Sequence, residues 1–522
     1  METISKAKID LLTKAVQPTE LELATEGRRL IVHTAISRFS VFYERLRTAI
    51  DYKEEHLLRR SAIVRILKRQ FSLETEAEQI ASQTLRELIA AKYLANDHHA
   101  EELIKDIAAM VAKFLAVKRI HSKIPDFEKW LLEILAAEID EVVTDQKEEK
   151  IFLNLLYEQV GEKIRLKNNE LTDEERRLQI FVACLRNFLK ADDALISYKL
   201  LRIFEPRWLR PELWTGEVHE MVACLESSHK RIQDILKHPY HQKFCNAVKP
   251  WSVSLTVLRA ALNEEPTKAR ELLEDPSALK KAIERVAEVR IQDSKRRLSR
   301  GIVRAIIYLF LTKMLFAAVL EYPIEIALYG KPHVQALLIN MLFPPVLMII
   351  VGAMIRPPVK ENVTRIVNGV EELLSIEGIT AIELRGKRHY STFGATMLAL
   401  GYIFMFVVSF GLIFWLLSLI GYTWISMAVF VFFLCVVSFF AYRLRLASKE
   451  YVAYEKQTGV GGLIIDFFSL PVLKVGRFLS ETVSRFNVIV FFFDVVLEAP
   501  FKIFLQALEE WFYYMKDKKD QL

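Results

Sequence analysis

The stretch SSHKRIQDILKHPYHQKFC brings His229, His238, His241 and Cys245 within one short segment, with Cys224 just upstream. Imidazole and thiolate are the ligands that zinc prefers, and His241 and Cys245, four apart, share a helix face. His238 sits one turn back, across Pro239. The spacing matches no zinc finger, and there is no HExxH helix, so a metal site is an expectation carried by residue type alone. No P-loop, GxGxxG, GxSxG elbow or kinase set occurs. Nothing in the chain assembles a catalytic constellation or implies a cofactor.

The second chemically pointed residue is Lys313, set inside the apolar run SRGIVRAIIYLFLTKMLFAAVLEYP. It lies about eleven residues into the span that begins near 302, roughly 16 Å from its cytoplasmic end at 1.5 Å per residue and slightly beyond the middle of a bilayer. Helical side chains tilt toward the N-terminus, so snorkelling to the far interface works against the geometry. An uncompensated lysine at that depth costs about 2.5–3.5 kcal/mol on insertion scales. Three readings fit it: a hydrated or snorkelled ammonium, a contact inside a helix bundle, or the lining of a polar path. Asn340 and the carbonyls freed near Pro344–Pro345 are its candidate partners.

The elements that hold these residues differ sharply along the chain. Residues 1–300 carry 51 Lys/Arg against 48 Asp/Glu and only three glycines, Gly27, Gly161 and Gly216. Helix signals recur there. Thr172 and Glu175 form a capping box, Asp275 precedes Pro276 at a helix start, and Phe127, Trp130, Leu131, Ile134 and Ile139 recur at helical spacing. In HLLRRSAIVRILKRQ, the bases Arg59, Arg60, Arg65, Lys68 and Arg69 read as a solvated face over an apolar stripe. Trp208 and Trp214, in a proline-bounded loop, are placed to pin that loop on a helical core. His98 and His99 follow a cap at Asp97 and read as surface residues. The four cysteines have no framework spacing, which suits a reducing compartment.

From residue 299 the composition turns apolar. Four stretches approach or exceed the roughly 20 residues a bilayer requires, at about 302–320, 335–355, 395–420 and 424–442. The second is expected to kink at Pro344–Pro345, and the last two are joined by a tight turn at Gly421–Thr423. Lys295, Arg296, Arg297 and Arg300 precede the first stretch. Arg356, Lys360 and Arg365 follow the second, and Arg443, Arg445 and Lys449 follow the fourth. By the positive-inside rule both termini are cytoplasmic, with EYPIEIALYGKP and GYT as the outer loops. Arg296, Arg297, Arg300, Arg443 and Arg445 are placed to meet lipid headgroups.

The expected fold is therefore all-α. A multi-helix cytoplasmic domain fills 1–298, and a four-helix transmembrane region fills 299–445 with a cytoplasmic linker at 356–393. Amphipathic interfacial C-terminal helices fill 446–522, and the tail and linker together are expected to form a collar. A net charge of +6, split evenly between the halves, gives no basic surface of the kind nucleic acid requires. The expected partners are the bilayer and either another protein or a second copy. The expected location is the plasma (inner) membrane. Two function classes follow. One is a membrane-anchored scaffold or regulator acting through the helical domain. The other is an oligomeric channel or transporter with Lys313 and the Pro344–Pro345 kink near its pathway.

Overall fold

The computed structural model describes residues 5–17, 55–73, 76–96, 102–120, 124, 126–144, 146–167, 171–214, 216–330, 334–354, 359–386, 392–448, 460–485 and 511. Asp97, His98 and His99 lie outside these, as does most of the chain after Arg485.

The N-terminal helical domain is ordered around α5 (Phe127–Val142), after α1 (Lys6–Val16), α2 (Glu55–Leu73), α3 (Ala77–Ala90) and α4 (Glu102–Lys118). Phe127, Trp130, Leu131, Ile134 and Ile139 are all buried, as their spacing required. The C-terminal turns of α5 also carry Glu138, Asp140 and Glu141, at the end of the helix dipole where negative charge is unfavourable. Bases from four neighbouring segments answer them. Lys113 of α4 pairs with Glu138, and Arg59 and Arg60 of α2 pair with Asp140. Glu141 is met by Lys150 of α6 (Lys147–Gly161) and by Lys199 and Arg202 of α8 (Asp193–Phe204). This corrects the solvated-face reading of α2: Arg60 is buried and Arg69 pairs with Glu87. Between α6 and α8 lie β1 (Ile164–Leu166) and α7 (Asp173–Phe188), which starts with the Thr172–Glu175 capping box.

Next come α9 (Val218–Leu236), α10 (His241–Leu262), α11 (Ala269–Glu274) and α12 (Pro276–Phe316), a 41-residue helix. Asp275 caps α12 by accepting from the Ser277 and Ala278 amides, with Pro276 at its first position. A π turn at Ala317–Glu321 passes α12 into α13 (Tyr322–Tyr329). The run Pro276–Leu328 is 53 residues long, about 80 Å at 1.5 Å per residue.

The linker departs from expectation. After α14 (Val334–Met354), α15 (Val359–Leu374) buries Val363, Ile366, Val367, Val370 and Leu373 in the same core as the N-terminal helices. It packs on α10 at Gly369, where an added Cβ would lie 2.3 Å from Ser254 Oγ. Trp251 Nε1 donates to Glu372 at 2.8 Å, and Lys8 Nζ donates to the Leu373 and Ser375 carbonyls that the end of α15 leaves unpaired. Next, β2 (Ile382–Leu384) pairs in parallel with β1, the only strands among the described residues of this otherwise helical fold. The linker therefore packs into the core of the helical domain.

The apolar helices follow as α16 (Thr392–Leu419) and α17 (Trp424–Ser448), joined by a turn in which Gly421 takes φ +79. The tail helix α18 (Val460–Arg485) packs along α17 and also touches α16. Gly476 permits this, because a Cβ there would lie 2.0 Å from the Cys435 carbonyl oxygen. The tail helix is thus seated on the apolar helices and joined to them by Lys474 over the Tyr402 ring at 4.5 Å.

Three helical segments are long and apolar enough to cross a membrane: Pro276–Leu328, Thr396–Leu419 and Trp424–Tyr442. The stretch expected at 335–355 coincides with α14, but its described apolar part, Leu337–Ile350, is shorter than a span.

Candidate functional site

The apolar region reverses the logic of the helical domain. Val303, Ile307, Leu311, Leu315, Val319, Leu398, Val407, Trp415 and Trp424 point outward, while Lys313, Glu321 and Glu325 turn in. That is the arrangement a hydrocarbon solvent selects.

Lys313 is fully buried, and its Nζ donates to Glu321 Oε2 at 2.9 Å. The ammonium also lies 4.5 Å from the Phe433 ring centroid on α17. Glu321 is itself 1% exposed and accepts at its other oxygen from Asn340 Nδ2 of α14. Asn340 Nδ2 also reaches the Ser426 carbonyl at 3.4 Å, and Ser426 Oγ donates to Glu325 of α13. Thr423 Oγ1 donates to the same Glu325 oxygen at 3.4 Å. Lys313, Glu321, Glu325, Asn340 and Ser426 are all buried, and they tie α12, α13, α14 and α17 together.

The sequence expectation named Lys313 and Asn340, and the structure brings them to the same carboxylate. It missed that carboxylate. Glu321 and Glu325 were assigned to an outer loop because EYP looks like the end of a span. In a regular α-helix, eight residues carry a side chain roughly 80° past its starting direction. The wider π turn rotates less per residue and returns Glu321 to the face of Lys313. A charged residue two turns beyond an intramembrane lysine was the available signal. Pro344 and Pro345 are buried within α14, which runs on through both.

Of the proposed metal ligands His241 and Cys245 meet, but the four do not form a metal-holding group. His229 packs on Trp130 and Phe127, with ring centroids 4.7 and 6.1 Å apart. His238 Nδ1 accepts from the Tyr240 amide, and His241 Nε2 lies 3.5 Å from Cys245 Sγ. Burial lowers the pKa of His229 and of His241, and it pushes the Cys245 thiol up to about 11. Among the described residues no three His, Cys, Asp or Glu side chains are grouped for a metal.

Arg296, Arg297 and Arg300 are exposed on α12 where it becomes apolar, and Arg296 approaches Asp293 at 3.8 Å. Arg443 and Arg445 lie in α17, where only the helical backbone is described.

A second buried polar group sits in the helical domain. Trp208 and Trp214 stack at 5.8 Å, both buried, and so pin the loop as expected. Trp208 Nε1 donates to Glu138 at 3.2 Å, and Lys113 both pairs with Glu138 and lies 4.4 Å over the Trp208 ring. Burial raises the Glu138 pKa and lowers that of Lys113, each opposed by the other's charge. At Glu141 burial also pushes upward, but Lys199, Lys150 and Arg202 outweigh it and hold the group at about 2.

No family model, curated protein or solved structure matches the chain.

Proposed function

We propose that the chain is an integral membrane protein acting as a scaffold or regulator, in which the helical domain does the work and the apolar helices hold it on the bilayer. The observation that carries this reading is the internal pairing of Lys313 with Glu321. The charge that would argue most directly for a solute path is spent inside one chain. The domain's coupling to the membrane supports it too, since α12 runs from its core into the apolar region and α15 returns to that core. In this reading α14 is a fourth span, both termini are cytoplasmic and the membrane is the plasma (inner) membrane. Arg296, Arg297, Arg300, Arg443 and Arg445 meet the headgroups. The working partner is another protein or a second copy of the chain.

A second reading, an oligomeric channel or transporter, is favoured by one observation. Glu321, Glu325 and Asn340 join Lys313 in the apolar region, more buried polarity than an anchor requires. Native mass spectrometry of the detergent-extracted protein, with ion flux measured in proteoliposomes, separates the two. A scaffold gives no flux, either in the parent protein or in Lys313→Leu. A closed homo-oligomer with Lys313-dependent flux overturns it.

A further inference from the structure

Asn340 spends its amide nitrogen entirely within the buried cluster, on Glu321 and on the Ser426 carbonyl. Both partners are acceptors, so the orientation of the carboxamide is settled by its bonds. Its oxygen is left over. Asn340 is 2% exposed, and Oδ1 has no hydrogen-bond partner.

Hydrogen bonds join that carboxamide to hard oxygens. Its nitrogen meets the Glu321 carboxylate and the Ser426 carbonyl directly, and the Ser426 hydroxyl leads on to the Glu325 carboxylate and the Thr423 hydroxyl. Carboxylate, amide and hydroxyl oxygens are the ligands of hard cations. An unserved buried carbonyl oxygen beside them requires a donor or a positive charge. Lys313 already supplies one such charge to Glu321, which limits a further guest to low charge.

We propose that the cluster of Glu321, Glu325, Asn340, Thr423 and Ser426 is a binding site for a small monovalent cation of sodium's class. Asn340 Oδ1 is a ligand, and the Lys313 ammonium is the built-in competitor. When the cation enters, Glu321 exchanges part of its pairing with Lys313 for the guest. Occupancy of the site is thereby tied to the joint between α12, α13, α14 and α17.

The test is thermal unfolding of the purified full-length protein in detergent. Sodium chloride is titrated against N-methylglucamine chloride at constant ionic strength. A ligand that binds only the folded state raises its melting temperature saturably. The expected result is a saturable rise of a few degrees specific to sodium, lost in Asn340→Leu and in Glu325→Gln. Thr423→Val, at the edge of the cluster, is expected to move the half-saturation point up several-fold and serves if either buried variant fails to fold. Lys313→Gln is expected to be less stable in N-methylglucamine and to recover more in sodium than the parent protein does. Radioactive sodium binding to the parent protein at one ion per chain supports the site by a separate route. Identical unfolding in the two salts overturns the proposal and assigns the Asn340 oxygen to water. A sodium response retained in Asn340→Leu, Glu325→Gln and Thr423→Val overturns it as well.

Discussion

Lys313 and Glu321 stand eight residues apart on one helical run, yet their side chains meet at 2.9 Å because a π turn lies between them. The pair is therefore local in sequence and central in space. It makes one carboxylate the junction between its own helix and Asn340 of α14. Both charges are fully buried. Their desolvation is offset only while both are present, and a buried pair broken on one side costs about 3–5 kcal/mol.

That asymmetry gives the first prediction. Lys313→Met leaves Glu321 charged, and Glu321→Gln leaves Lys313 charged, so each alone lowers stability by about 3–5 kcal/mol. The double variant carries no charge and keeps an amide for Asn340 to bond. It is expected to recover most of the loss. Unfolding of the detergent-extracted protein by the four members of this cycle measures the coupling, and additive losses would show that the pair contributes nothing as a pair.

The tail helix yields the second. Gly476 lies against the Cys435 carbonyl, and a methyl added there would also lie 2.8 Å from Phe439 Cβ. Backbone does not step aside, so Gly476→Ala is expected to cost about 1–3 kcal/mol by overpacking and to loosen α18 from α17. Gly401→Ala and Gly411→Ala, where nothing lies within 4 Å, are the controls, and the better helix former should leave them neutral or slightly stabilised. Proteolytic cleavage rates near residues 449–459 report the difference.

How much of this was legible beforehand depends on the range of the forces involved. The capping box at Thr172, the cap at Asp275 and the buried stripe of α5 follow from local chemistry, and the structure keeps all three. The apolar runs at 395–420 and 424–442 were visible because a bilayer needs only length and composition. What escaped depends on distant partners. Arg59 and Arg60 looked solvated because Asp140 lies 81 residues beyond Arg59. The linker looked like a collar because its basic residues stood out, while its apolar face had no visible partner until α10 was folded beneath it. Glu321 looked like a loop residue because no sequence rule marks a π turn.

The third prediction concerns Trp208, which donates to Glu138 and lies under the Lys113 ammonium. Trp208→Phe keeps an aromatic ring but removes the N–H, so Glu138 loses one of its bonds at a buried position. A loss of about 1–3 kcal/mol is expected. Trp214→Phe removes a donor that serves only the Arg207 carbonyl in the same loop and should cost less. Denaturant midpoints for the two variants give the ordering, and a smaller effect at Trp208 than at Trp214 would contradict it.

The last prediction is a dependence on pH set by Glu141. Its pKa in the folded chain is about 2, below the ordinary 4.5, because Lys199, Lys150 and Arg202 favour the carboxylate more strongly than burial disfavours it. A depressed carboxylate pKa means that the unfolded chain binds the proton more readily than the folded one. Its stabilisation is therefore present above pH 4.5 and disappears as pH falls from about 4.5 to about 2. Allowing for water reaching the half-exposed Lys150 side, the contribution is about 2 kcal/mol. Glu138 works in the opposite direction and in a higher window, since burial raises its pKa and acid relieves it as pH falls toward 4.5. The two neighbours on one helix therefore act on adjacent pH ranges. Glu141→Gln is expected to lower stability at neutral pH by about 2 kcal/mol and to flatten the decline between pH 4.5 and 2. Glu138→Gln should leave that decline in place. Melting temperatures of the three proteins across this range decide the point, and an acid limb unchanged in Glu141→Gln would show that the cluster around α5 does not govern it.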